Sequence, residues 1–469
     1  MTESPTQQLA EFAARQFRSE LDPEVSTATR RSIIDTLGVS IAAVNEPAVG
    51  VVASTVVGRG GVPEASVLGL SQRFPTASAA LVNGTMAHAL DFDDTHLPSV
   101  LHPSASVVPA ALAVAEAKAS PGADIEAAIA IGIEVTCRLG MAAYDPELRN
   151  SIFFERGLHA TSICGTIGAA VAAALLHGAD TTTISHSMGI AASMGSGLIE
   201  ANRTGGTVKR MHCGWAAHSG ITAAELATAG MTGPPTVLEG RFGFFEAFTG
   251  GFYDGPSLVG GLGDKWELLR IFTKPYPTNH FTHAGIDAAI HLRQQGVNPD
   301  SITAIRLGVP APVLRTIAEP LAAKARPESG YSARFSGPFT VATALYGGGG
   351  LGVSSSDFSD DVVRDLDRLA LSAMVHCYAD EQSTQDFPNQ LPGILSVETD
   401  SGAKFEHRVI HTRGGPDNPL SKDELEMKFR LNAEPQIGTT GASHVLDGVE
   451  GLSESTSYQR LVPTFNHSE

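Results

Sequence analysis

Between His88 and Ala105 the chain reads HALDFDDTHLPSVLHPSA, and Asp91, Asp93, Asp94, Thr95, His96 and His102 crowd into this short link between two apolar segments. Carboxylates and imidazoles are costly to withdraw from water without a purpose, so their density in a connecting loop points to proton chemistry. The plainer reading is a helix end followed by a capped helix start, with Asp and Thr accepting from free backbone N–H groups. A divalent metal is a third reading. The link has no HExxH spacing and its carboxylates fall on both faces, so no metal ligand is assigned.

Three further stretches carry chemistry-bearing side chains. In RGLHATSICG, His159 stands at an expected helix start, whose positive end favours a neutral imidazole that can accept a proton. In ANRTGGTVKRMHCGWAAHSG, Arg203, Lys209, Arg210 and His212 gather in a glycine-rich link before another helix of small residues. Glycines let backbone N–H groups approach an anion, and lysine adds a compact charge for a carboxylate. In FTKPYPTNHFTHAGIDAAI, Lys274, His280 and His283 surround two prolines at an expected domain junction, where substrate clefts are favoured. The alternatives to these three readings are a structural histidine, a solvated basic turn and a proline-stiffened hinge.

The rest of the chain must hold these stretches in place. Its 469 residues exceed one hydrophobic core, so two domains are expected. Hydrophobic residues make up 42% and aromatics only 6%, which describes a core filled by Ala, Leu, Ile and Val. The spacing predicts amphipathic helices over 6–20 and 25–44, then a succession of Ala-rich helices from 76 to 230. The stretch 160–176 has no charge, and its Gly, Ser, Thr and Cys content and its length make it a buried core helix rather than a membrane span. Near 270 the texture changes: 301–310 alternates like a strand, and 393–411 reads as a hairpin around Asp400-Ser401-Gly402. Ser421 then caps a returning helix. A mixed α/β insert over 272–412 is therefore expected within helical parts 1–271 and 413–469.

A net charge of −18 argues against nucleic acid and anionic membranes as partners, and gives weight to individual cations in polar, glycine-rich links. The four cysteines, Cys137, Cys164, Cys213 and Cys377, form no CxxC, which fits reduced thiols in a cytoplasm and no zinc or iron–sulfur site. The N-terminal segment has charges where a signal peptide needs an apolar run, so no export is expected.

Taken in order, ALDFDDTH with HPSA, GLHATSICGTIGAA, TVKRMHCGWAAHSG with EGRFGFFEAF, KPYPTNHFTHAGIDAA and RPESGYSARFSGPF resemble the MmgE/PrpD family over nearly the whole chain. That family includes 2-methylcitrate dehydratases, cis-aconitate decarboxylases and iminodisuccinate epimerases. The resemblance implies a mainly α fold: a large all-helical domain built from both chain ends, plus a smaller α+β lid, in a homodimer. It also implies a cofactor-independent enzyme with no metal, acting on a small di- or tricarboxylate. Its active-site positions fall on Asp91, Thr95, His102, His159, Lys209 and Lys274.

The sequence departs from the decarboxylases at three places. The gap from Thr95 to His102 is one residue longer, KPYPTNH is longer and leaves His280 and His283 as rivals, and a lid tyrosine is replaced by Phe339. The expected chemistry is removal of a proton next to a carboxylate, with the dianionic intermediate stabilised by Lys209 and Lys274. His102 or His159 would move the proton, Asp91 would orient an imidazole or bind substrate, and Thr95, Arg210, His212, His280 and His283 complete the substrate-binding candidates. Loss of a β-hydroxyl, as in 2-methylcitrate dehydratases, is the first expectation. Epimerisation and decarboxylation are alternatives on the same scaffold, and a metal-dependent hydrolase or a non-catalytic carboxylate-binding protein are rivals from other classes.

Overall fold

A computed structural model describes residues 3–204, 206–388 and 390–455, with the side chains of Asn202 and Arg203 outside the described set. The chain folds into two units, Met1–Ile271 with Phe429–Glu469, and Phe272–Lys428. The first is helical. The second combines helices with a four-stranded sheet.

The first unit is built from α1 (Pro5–Gln16), α2 (Pro23–Ala42), α3 (Pro47–Arg59), α4 (Thr76–Ala89), α5 (Ser104–Lys118), α6 (Gly122–Ala142), α7 (Ala160–Leu176), α8 (Thr181–Met194) and α9 (His212–Thr228). Ser4 and Asp22 cap the first two by accepting from Gln7 N and Glu24 N. The first ends at Gln16, short of the expected 20, and the second begins at Pro23. Every residue of α7 is buried, and α5, α6, α8 and α9 pack around it. This is what a helix without a polar face requires.

Small residues set the spacing of these helices. A Cβ on Gly214 of α9 would stand 2.1 Å from the Leu81 carbonyl oxygen of α4, and one on Gly168 of α7 would stand 1.9 Å from Thr136 Oγ1 of α6. The backbones therefore approach as closely as glycine permits. No single described helix is long and apolar enough to cross a membrane. The pair α2 and α3, bent by 91°, passes on length and composition alone, yet twelve residues of α2 are buried within the protein.

The second unit contains α10 (His283–Gln294), β1 (Ile302–Val309), α11 (Gly337–Tyr346), β2 (Val375–Ala379), β3 (Gly393–Thr399), β4 (Lys404–Val409) and the start of α12 (Lys422–Glu450). The sheet order is β4-β3-β1-β2, antiparallel except for the β1–β2 pair. Ile305, Leu307, Val341, Leu345 and Leu395 belong to its core, together with Ile286 and Leu292 of α10. The hairpin and the β1 strand lie where alternation predicts them. The β2 strand has no such signal, since only Val375 of its five residues is buried.

Where sequence composition ends the insert at 412, the compact unit continues to Lys428. Arg413 N donates to Asp287 Oδ2 of α10 at 2.9 Å, and the Arg413 guanidinium pairs with Glu424. Ser421 and Glu424 cap each other reciprocally, Ser421 N to Glu424 Oε2 at 2.7 Å and Glu424 N to Ser421 Oγ at 3.2 Å. These bonds tie the start of α12 to the second unit. Beyond Phe429, α12 belongs to the first unit and breaks at Gly438, where φ is 67°.

Candidate active site

The helix α4 ends at Ala89, and the chain leaves it through Asp91, whose φ of 54° is left-handed, a conformation aspartate tolerates better than most residues. The turn sends the three acids of the link in different directions. Asp94 accepts from Ser104 N at 3.3 Å and from the Ser104 hydroxyl, so it caps the start of α5 in the plain way the sequence allowed. Burial pushes its carboxyl up to about 7. His96 also turns away from the other histidines: Nδ1 meets Ser99 Oγ at 2.7 Å, and Nε2 lies 3.4 Å from Glu267.

His102 is fixed from two sides. Its backbone N–H donates to Thr161 Oγ1 at 3.2 Å, in the first turn of α7, and its Nδ1 lies 2.6 Å from the Asp94 carbonyl oxygen. A carbonyl only accepts, so Nδ1 carries the hydrogen and, in the neutral ring, Nε2 carries the lone pair. That Nε2 is 4.0 Å from Asp91 Oδ1, and Asp91 Oδ2 is 3.6 Å from Lys209 Nζ. Asp91 thus stands between an imidazole and an ammonium. The Thr95 hydroxyl oxygen is buried with no hydrogen-bond partner among the described residues.

A row of imidazoles continues behind His102. The His88 ring centre is 5.1 Å from that of His102 and 5.6 Å from that of His159, and His159 is 5.0 Å from His212. His159 stands at the N-cap position of α7 and His212 opens α9. Their Nδ1 atoms are 2.9 Å apart. One of them must donate and the other accept, so the pair shares a single hydrogen. Burial first, and then the nearby His88, Lys209 and His212 charges, hold the His159 imidazole well below its ordinary range. Burial likewise lowers His212 to about 4. Gly197 closes over the pair, where a Cβ would lie 3.2 Å from His159 Cβ and 3.5 Å from His212 Nδ1.

Asp91, His102, His159, Lys209 and His212 are therefore gathered in the first unit. Arg210 extends to Glu46, with 3.6 Å between Nη1 and the carboxylate. The Arg203 side chain lies outside the described residues. Lys274 begins the second unit and is only 2% exposed. In the same unit the His280 and His283 rings are 4.7 Å apart, with Phe272 against one and Tyr276 against the other. His283 Nε2 lies 3.3 Å from the Thr278 carbonyl oxygen. Phe339 is wholly buried in the core of this unit, 6.3 Å from Phe358 between ring centres.

The sequence places Asp93 among the acids of the link but does not single out His88, its partner. His88 Nδ1 lies 2.8 Å from Asp93 Oδ2, and both side chains are buried. A lone histidine in an apolar helix gives no local sign of this; the only signal was a carboxylate five residues later, across a helix end. Ligand atoms of His88, Asp93 and His102 lie within 4.8 Å of one another, a spacing a metal could span. Each ring donates through Nδ1 to a protein oxygen, so a metal would be met by the opposite nitrogen, Nε2, of His88 and of His102.

Residues 7–254 match the MmgE/PrpD N-terminal domain and residues 276–452 the MmgE/PrpD C-terminal domain. The chain is 31% identical to a cis-aconitate decarboxylase of Homo sapiens, over 81% of this chain and 78% of that protein. It is 27% identical to a cis-aconitate decarboxylase of Aspergillus terreus, over 85% of this chain and 83% of that one. A third relative, the cis-aconitate decarboxylase of Mus musculus, is 29% identical over 81% of this chain and 77% of its own length.

Proposed function

The chain belongs to the MmgE/PrpD family, and from that premise we propose that it is a metal-independent lyase that abstracts a proton next to a carboxylate of a small tricarboxylic acid and expels a β-hydroxyl. The observation that carries this reading is the fixed His102 ring, with Nδ1 donated to the Asp94 carbonyl and Nε2 directed toward the Asp91–Lys209 pair. A base needs a defined lone pair, and the dianion it creates needs a cation within reach. His102 Nε2 takes the proton, Lys209 holds a substrate carboxylate, and Asp91 orients both. The buried Thr95 hydroxyl has a donor to offer a second carboxylate oxygen. His159 and His212 supply a neutral polar wall that shares one hydrogen, and Arg210 belongs to the same substrate-binding set. The working form is a cytoplasmic homodimer.

Decarboxylation is the second reading, favoured by the names of the relatives at 27–31% identity. Loss of CO2 leaves an electron pair on carbon, and the His102 imidazolium then protonates it. The two reactions therefore begin from opposite protonation states of the same ring. Dehydration gains rate as pH rises and His102 becomes neutral, whereas decarboxylation loses it.

The test is incubation with 2-methylcitrate, citrate, cis-aconitate and iminodisuccinate in deuterated water, followed by NMR. Dehydration yields an alkene from a hydroxy acid, decarboxylation yields a product one carbon shorter, and epimerisation yields only exchange and inversion. His102→Gln is expected to lower the rate on the true substrate by about 10²–10⁴. Retention of the wild-type rate in both His102→Gln and Lys209→Met would remove these residues from the mechanism.

A further inference from the structure

The carboxylate of Asp93 faces two imidazole edges at once. Its Oδ2 is 2.8 Å from His88 Nδ1 and 3.7 Å from His102 Nδ1. Exposure orders the group in depth: the His88 and Asp93 side chains are 1% exposed, His102 is 16%, and Lys209 is 18%. His88 and Asp93 therefore lie behind the groups that a substrate can reach. His88 packs its ring edge-on to His102, and its Nε2 is buried without a hydrogen-bond partner among the described residues. With Nδ1 donated to the carboxylate, the neutral ring carries its lone pair on that Nε2, which fixes its tautomer.

We propose that His88 and Asp93 form a positioning dyad for His102, in which His88 holds the carboxylate and the carboxylate stabilises the cation that His102 becomes on taking a proton. The proposal rests on the reading of His102 as the proton-transfer group. In the step itself the C–H bond breaks, its electron pair stays on the substrate carbon, and the proton bonds to His102 Nε2. The Nδ1 hydrogen stays directed at the Asp94 carbonyl. No proton passes to Asp93, so its negative charge persists opposite the new imidazolium. Burial makes that arrangement effective, because little water intervenes to screen the charge.

The charged and titratable groups around His102 come from every neighbouring element. Asp91 and Asp93 belong to the link, His88 to α4, His159 to the start of α7, and Lys209 to the 3-10 turn Thr207–Met211. Asp91 is already opposed by Lys209 at 3.6 Å. Asp93 has His88 as its hydrogen-bonded partner, so removing its charge takes away the nearer negative group on the Nδ1 side. His102 then holds its proton less tightly.

Three variants test this: Asp93→Asn, His88→Leu and His88→Asn, the last keeping an amide N–H near the position of Nδ1. The measurements are a kcat–pH profile and a substrate-free titration of 15N-labelled histidines by NMR. In Asp93→Asn the His102 resonance should titrate at lower pH than in the wild type. The acid limb of kcat should move down with it, and the plateau should fall on the order of 10-fold or more at nearly constant KM. His88→Leu should move in the same direction, and His88→Asn should recover most of the loss.

An unchanged His102 titration in Asp93→Asn overturns the dyad. So does a wild-type His88 that carries its hydrogen on Nε2, a result that needs no variant to fold. If the resonance shifts as expected but the kcat–pH profile does not follow it, the dyad stands and the assignment of proton transfer to His102 fails.

Discussion

His159 and His212 meet nitrogen to nitrogen, with their Nδ1 atoms 2.9 Å apart, so the space between them holds one hydrogen and excludes a second. The residues are 53 positions apart in the chain and come from the starts of α7 and α9. Burial lowers both imidazoles, and the shared hydrogen gives a structural reason for that neutrality.

The pair has a consequence for acid stability. His212 falls from an ordinary 6.5 to about 4 in the folded protein. Between those values the unfolded chain binds a proton that the folded one does not, so this contribution is present above 6.5 and is lost as pH falls. His212→Gln, which keeps an amide beside His159 but cannot titrate, should remove part of this loss. The wild-type advantage in urea denaturation should shrink from pH 7 to pH 4, by at most about 2 kcal/mol after solvent screening. An advantage independent of pH would contradict the assignment.

Asp94 behaves in the opposite sense. Its carboxyl rises from 3.8 to about 7 on burial, so the folded state keeps a proton that the unfolded state has released. That stabilisation is complete below the unfolded value and disappears as pH rises through about 7. Asp94→Asn loses one acceptor for Ser104 at every pH. The variant should nevertheless gain on the wild type as pH rises, which a comparison of Tm at pH 5 and pH 8 will read. A Tm difference that narrows at low pH instead would reverse the sign.

Gly214→Ala tests the helix crossing that carries the site. The added methyl would meet the Leu81 carbonyl at 2.1 Å and Thr85 Oγ1 at 2.5 Å, both in α4. Separating α4 from α9 should cost about 2 kcal/mol or more. It should also move His88 relative to His212, lowering activity further than stability alone explains. Wild-type denaturation and kinetics in this variant would mean that the crossing is looser than described.

Exhaustive dialysis against a chelator should leave activity on the true substrate within about two-fold of its starting value, because the proposed chemistry uses the His102 Nε2 lone pair as its base, and a metal on that nitrogen would occupy it. Restoration by added zinc after a large loss would instead assign the His88, Asp93 and His102 cluster to a metal.

Much of the candidate site was legible because its parts are local. Asp91, Thr95 and His102 share one loop, His159 marks a helix start, and Lys209 sits in a glycine-rich turn. Residue type and spacing along a loop do not say which way each side chain turns. Asp94 became a helix cap and His96 turned to Ser99 and Glu267, although both looked equal to their neighbours in the sequence. His88 stayed hidden because it occupies an ordinary position in an apolar helix. The second unit showed the same limit: alternation revealed β1 and the β3–β4 hairpin, while β2 and the extension to Lys428 depend on packing between segments distant in sequence.

By itself the sequence determined the helical texture of the first unit, the family, and the types of side chain available for chemistry. These follow from hydrophobic periodicity, small-residue content and motifs, all of which act over a few turns of chain. Only the tertiary structure decided that His102, His88, His159 and His212 stand in one row, and that Asp93 Oδ2 lies 2.8 Å from one of these rings and 3.7 Å from another. That row exists because glycines let α4, α7 and α9 approach until imidazoles from separate segments touch, and no pattern within a single segment encodes such a meeting.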